Sequence, residues 1–181
     1  MDLLQRFTHG EIDAFETLVR QFQGDIYAWI VRIVRDRGTA EDLTVETLWR
    51  VYRARHRFCP DGNFGAWARR IATNLAIDHL RRSRPEQSFP TEPAGAPQPD
   101  PLVQRETRER IQLAFRRLPA KLQVAATLAL VEDLPYDEIA NALGTSVGAV
   151  KLRVFRAVRI LRKRLSQAGI RPELKNVRTS T

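Results

Sequence analysis

The chain has 181 residues, 43% of them hydrophobic, enough for one globular domain or two small ones with a conventional core. Its formal net charge of +9, from 30 Lys+Arg against 21 Asp+Glu, points to a polyanionic partner, nucleic acid ahead of anionic membrane or a ribosome-like structural role. A single cysteine, Cys59, excludes an internal disulfide and suits a reducing compartment.

The opening MDLLQRFTHGEID has no apolar secretory core, and the longest apolar run, Val124–Val131, is far short of a membrane span. A soluble intracellular protein is expected, with no membrane partner. From Glu11 to Arg35 the apolar residues Ile12, Phe15, Leu18, Val19, Phe22, Ile26, Trp29, Ile30 and Ile33 recur with helical period. Gly24 is expected to divide this stretch into two helices. RDRGT reads as a loop. Thr39, with Asp42 three residues on, reads as the N-cap of a helix running to about Arg57. FCPDGNFG, residues 58–65, is turn chemistry. His56, Cys59 and His79 are too few and too poorly spaced for a metal. No metal and no cofactor are expected, and Cys59 reads as a plain, partly buried thiol.

The next helix, WARRIATNLAIDHLRR, is unusual. At about 100° per residue, Trp67, Arg70, Asn74, Asp78 and Arg81 fall within an arc of roughly 80°. An indole, an amide and arginines on one face suit unstacked bases: the indole stacks, the amide reads a base edge, the arginines hold phosphate. Taken alone, the helix slightly favours the plainer reading, Trp67 as a core residue at a helix start and Asn74 as a solvated one. These four helices make an all-helical domain over residues 1–84.

Between Pro85 and Pro101 there are six prolines and few large apolar residues, the composition of an extended linker, assigned to 85–107. Helical periodicity resumes around Leu102–Arg110 and continues through Ile111, Leu113, Ala114, Phe115 and Leu118. A second apolar helix, Leu122–Val131, ends at EDLP. Tyr136–Leu143, a turn at Gly144-Thr145-Ser146 and a long helix from Val147 to Leu165 then have the layout of a helix-turn-helix. Its small core is expected from Ile139, Ala140, Leu143, Val147 and Val150. The second domain is assigned to 108–166, and a fraying tail to 167–181. The fold class is all-α: two small helical domains joined by a flexible Pro-rich linker.

Lys151, Arg153, Arg156, Arg159, Arg162, Lys163 and Arg164 follow one another with no intervening acid, opposite an apolar seam of Val154, Ala157, Val158, Leu161 and Leu165. A solvated surface helix mixes charge signs, so this one reads as a DNA contact. The acids are segregated just upstream, at Glu132, Asp133, Asp137 and Glu138. Ser146, Lys151, Leu152, Phe155 and Arg156 lie in the half of the helix that reads bases. Lysine and arginine suit guanine edges or phosphate, and Leu152 or Phe155 suits a thymine methyl.

Two nucleic-acid-competent helical domains on one linker suit two separated DNA elements. AEDLTVETLWRVYRA resembles region 2.2 of the bacterial sigma factors. FGAWARRIATNLAIDHLRR resembles their regions 2.3–2.4. The stretch from Leu118 to Leu165 resembles region 4. Together the chain resembles the short, two-domain extracytoplasmic-function class. That resemblance implies a cytoplasmic bacterial protein that is not an enzyme and that directs core RNA polymerase to promoters.

It further implies that Trp67, Arg70, Asn74, Asp78, Arg81 and Arg82 meet the melted −10 strand, with Asn74 at a flipped base. Ser146, Lys151, Leu152, Phe155 and Arg156 would meet duplex −35 DNA. Asp42, Glu46 and Trp49 would dock on the clamp helices of the largest polymerase subunit, region 4 on the flap. Val45 stands where the family usually has glutamine, and GAVKLR where it usually has GTVKSR. No inhibitory segment is expected ahead of region 2, so control is expected from an anti-sigma factor. The rival reading is a stand-alone helix-turn-helix regulator whose N-terminal domain dimerises. Nothing resembles a clustered catalytic site.

Overall fold

The computed structural model describes residues 2–83 and 101–170, with side chains for all of these but 101–104. Every regular element among them is helical: α1 (Leu3–Thr8), α2 (Ile12–Val34), α3 (Arg37–Arg53), a 3₁₀ turn (Arg55–Arg57), α4 (Phe64–Arg82), α5 (Pro101–Arg116), α6 (Ala120–Ala126) running into a π turn (Thr127–Val131), α7 (Tyr136–Leu143) and α8 (Val147–Gln167).

The first domain contains four α-helices, but not the four expected. Gly24 does not break α2, which runs unbroken for 23 residues. Glycine costs a helix roughly 1 kcal/mol relative to alanine. Leu18, Ile26, Trp29, Ile30 and Ile33, all buried along one side of α2, outweigh that. The fourth helix is α1, started by a capping box between Asp2 and Gln5. It delivers Phe7 to the core, fully buried. The N-cap of α3 is Asp36 rather than Thr39: its carboxylate accepts from the Thr39 N–H at 2.7 Å. These hydrogen bonds, from the backbone first and the hydroxyl second, hold the Asp36 carboxyl below its ordinary pKa. α3 ends at Arg53, short of the expected Arg57, and the 3₁₀ turn follows. α4 begins three residues before Trp67, capped by the Asn63 side chain on the Ala66 N–H.

In the second domain α7 matches its expected span. Gly144 then takes the left-handed conformation, φ +59°, that closes the helix. Ser146 caps α8, its hydroxyl accepting from the Ala149 N–H at 3.2 Å. The seam of Val154, Ala157, Val158, Leu161 and Leu165 is buried, as are Ile139, Ala140 and Val150. Val147, expected in that core, is exposed. It is the first residue of α8.

Residues 84–100, and with them most of the stretch read as linker, lie outside the described residues. α5 starts at Pro101, so 101–107 are helical rather than linker. Of the segment read as tail, 171–181 also lie outside.

The two halves pack against each other. α4 rests on α6 and α7, and α2 meets the π turn. Buried residues of both, such as Ala68, Ala72 and Ala76 with Ala125, Ile139 and Ala140, belong to one apolar cluster. Ala114, Leu118, Ala126, Ala157, Leu161 and Leu165 form a second one between α5, α6 and α8.

Candidate nucleic-acid and polymerase interfaces

α4 is built on an aromatic floor. Trp67 lies 5.0 Å from the Phe58 ring, 5.9 Å from Phe64 and 6.5 Å from Phe7, centroid to centroid. The indole is therefore half-buried, not the freely exposed platform read from periodicity. Four aromatic rings from three parts of the chain converge there because α1 and the turn before α4 close over the start of the helix. Arg70, Asn74, Asp78, Arg81 and Arg82 are exposed on the same side. Asp78 is 3.8 Å from the Arg81 guanidinium, and the Arg82 Nε donates to the Asp78 carbonyl at 3.3 Å. Asn74 has no intramolecular hydrogen-bond partner among the described residues, so its carboxamide is available to a ligand.

The register of α4 is fixed from beneath. The Trp29 Nε1–H donates to the Thr73 hydroxyl at 2.9 Å. That hydroxyl in turn donates to the Arg69 carbonyl at 2.7 Å. Arg69 lies over the Trp29 ring, 5.5 Å from its centroid. Nothing in the local sequence pattern marks Thr73 as a partner for a residue 44 positions away.

α8 is constructed differently. Its reading positions stand clear of the protein: Phe155 is 60% exposed and Leu152 48%. Arg156 is exposed without a partner among the described residues. Ser146, expected among the DNA contacts, has its hydroxyl engaged as the helix cap.

The third surface is on α3. Val45 is 70% and Trp49 55% exposed, large apolar side chains four residues apart on one face. Asp42 is exposed beside them. Glu46 pairs with Arg50 at 2.7 Å, and the Arg53 guanidinium lies 5.9 Å from the Trp49 ring. An apolar centre with charged neighbours is the anatomy of a protein-binding patch. Cys59, read as partly buried, is exposed. No His, Cys, Asp or Glu cluster able to hold a metal occurs among the described residues.

The Sigma-70 region 2 family model matches residues 18–86, and the Sigma-70 region 4 model matches 108–161. This chain belongs to the sigma-70 family, in its extracytoplasmic-function class. It is 35% identical to the ECF RNA polymerase sigma factor BldN of Streptomyces coelicolor over 91% of its own length and 65% of that protein. It is 34% identical to the RNA polymerase sigma-H factor of Pseudomonas aeruginosa over 90% of its length and 92% of that protein. Among solved structures it resembles CnrH, determined in complex with the cytosolic domain of CnrY, with a TM-score of 0.57 and 25% identity. That likeness covers 91% of this chain and 96% of the other. The family match removes the rival reading of a stand-alone regulator. Region 2 is thus the half bearing α3 and α4, and region 4 the half bearing the helix-turn-helix. No helix among the described residues is long and apolar enough to cross a membrane.

Proposed function

We propose that this sigma factor captures the melted −10 strand with α4 and reads duplex −35 DNA with α8. One observation carries the proposal: the two faces are built differently, α4 on a packed aromatic floor and α8 with exposed apolar side chains among its basic residues. On α4, an unpartnered carboxamide and exposed arginines stand on a rigid aromatic floor. That geometry suits a base already turned out of the stack. On α8, an acid-free basic run carries exposed apolar side chains at reading positions. That suits a major groove, with arginine or lysine on guanine edges and apolar contact to thymine methyl groups.

Asn74 is the strand-capture residue, with Arg70, Arg81 and Arg82 holding phosphates. Asp78 sets the Arg81 and Arg82 side chains, and Trp67 supports the surface from its half-buried position. On α8, Lys151, Leu152, Phe155 and Arg156 face the groove, while Ser146 positions the helix as its cap. The α3 patch of Val45 and Trp49, flanked by Asp42 and Glu46, docks on the clamp helices of the largest polymerase subunit, and region 4 on the flap. An apolar contact through Val45 replaces the hydrogen bond a glutamine would make. The protein acts in the bacterial cytoplasm and does no chemistry of its own. CnrH is held by the cytosolic domain of CnrY, and an anti-sigma partner is proposed here on that likeness.

Run-off transcription with core polymerase over a promoter library tests this reading. A pair of enriched hexamer-like elements at −35 and −10 is the expected result. Tight binding of free protein to a palindromic duplex, without polymerase, would overturn it.

A further inference from the structure

Four acids stand at the start of the helix-turn-helix, and the proposed DNA contacts do not use them: Glu132 and Asp133 just before α7, Asp137 and Glu138 in its first turn. In the folded chain two of them, each partly exposed, pair with arginines of region 2. The Glu132 carboxylate lies 2.6 Å from the Arg35 guanidinium and 3.6 Å from that of Arg32. Only 20% of the Glu132 side chain is exposed. Glu138 lies 3.6 Å from the Arg69 guanidinium, which also covers the Trp29 ring. Next to it, the Arg70 guanidinium is pressed against the helix-turn-helix glycine: a Cβ on Gly144 would stand 2.6 Å from the Arg70 Cζ. Arg70 belongs to the −10 face, and Gly144 to the −35 reader.

The backbone on both sides of this contact is shaped for it. Among the described residues, the non-glycine positions with positive φ are Arg35 (+59°) and Asp133 (+53°). One ends α2 and points at Glu132; the other directly follows Glu132. Such conformations are disfavoured for residues with a Cβ. The π turn Thr127–Val131 precedes Glu132, whose N–H closes it on the Thr127 carbonyl at 3.1 Å. π turns are rare and concentrate at functional positions.

We infer that the acidic segment 132–138 of region 4 is an internal occupant of the arginine surface formed by Arg32, Arg35, Arg69 and Arg70. It stands there in place of the DNA backbone and holds the chain closed. Arg32, Arg35 and Arg69 thereby become phosphate contacts adjoining the −10 face, available once region 4 leaves. The carboxylates supply the charge that phosphates would supply, at the same guanidiniums. The α3 patch stays exposed in the closed chain, so its docking on the clamp helices does not require opening. Because these ion pairs are only partly buried, each contributes modestly and salt weakens them. The closed form is thus a latch that an anionic strand can displace. This inference rests on α4 being the −10 face.

The test uses the full chain labelled for energy transfer at Cys59 and at a cysteine replacing Gln167, both exposed and on opposite halves. Transfer in the wild type should fall between about 0.05 and 0.5 M salt, as the screening length shortens. Glu132→Gln with Glu138→Gln should lower transfer at low salt. It should also tighten binding of a single-stranded −10 oligonucleotide roughly five- to tenfold, the effect of removing two or three partly exposed pairs. The exchange Arg35→Glu with Glu132→Arg should restore transfer. Unchanged transfer in the Gln pair overturns the latch, as does salt-independent transfer in the wild type. Opening without a gain in oligonucleotide affinity overturns the occlusion. If α4 were not the −10 face, the oligonucleotide would bind no variant, while the transfer changes would remain.

Discussion

Regions 2 and 4 both present arginines and aromatics on one helix face, and they hold them in opposite ways. On α4 the reading residues stand above a floor of Phe7, Phe58, Phe64 and Trp67, locked by the Trp29–Thr73 hydrogen bond. On α8 Leu152, Phe155 and Arg156 project from one exposed face, and the opposite seam is packed. On the function proposed, the difference follows the form of DNA each would meet. A duplex brings its own rigid geometry, so a helix that fits the groove needs little further organisation. A separated strand is flexible, and the protein must supply the order that the duplex has lost.

The sharpest way to break this comparison is Asn74→Ala. If α4 captures a single base, open-complex formation should fall about 10- to 100-fold, the scale of a lost base contact worth roughly 1–3 kcal/mol. Binding to core polymerase should be unchanged. Equal losses in both assays would place Asn74 in the polymerase interface instead. Arg156→Ala on α8 should reduce −35-dependent transcription about tenfold, within the roughly 1–3 kcal/mol of a specific arginine contact. Reporters carrying single −35 substitutions would separate base readout, which relaxes at one position, from phosphate contact, which weakens all sequences alike.

Smaller effects probe the floor. Thr73→Val leaves the buried Trp29 N–H without its acceptor, a cost of about 1–3 kcal/mol. The expected outcome is a lower melting temperature together with slower open-complex formation. An equivalent loss of stability made in the α5–α8 core should leave strand capture intact. Smallest is Asp36→Ala, which removes the cap of α3. Because the folded carboxyl is held below its ordinary pKa, its contribution to stability is present above the unfolded pKa and is lost as pH falls through the folded one. The difference in melting temperature between wild type and variant should therefore shrink under acid.

Much of this could be read without coordinates because it depends on local rules. Tyr136–Leu143, the glycine turn and the basic α8 follow from apolar spacing, one left-handed position and one-signed charge. Stretches read from weak local signals fared less well. Gly24 is a helix breaker only in isolation, and burial along the rest of α2 overrides it. Phe7 sits in an opening segment whose Asp2-x-x-Gln5 pattern was the available clue to a capped helix. Val147 and Cys59 depend on whether another element happens to cover them.

By itself, then, the sequence determined that the described chain is helical and that it carries a basic helix-turn-helix. These are matters of period, composition and motif, each legible within one or two consecutive helices. Only the tertiary structure decided that Trp67 is half-buried, that Thr73 answers Trp29, and that Glu132 meets Arg35 across 97 positions of sequence. The physical reason is the same in each case. Burial and pairing between distant segments depend on how helices pack, and no local periodicity encodes which faces will meet.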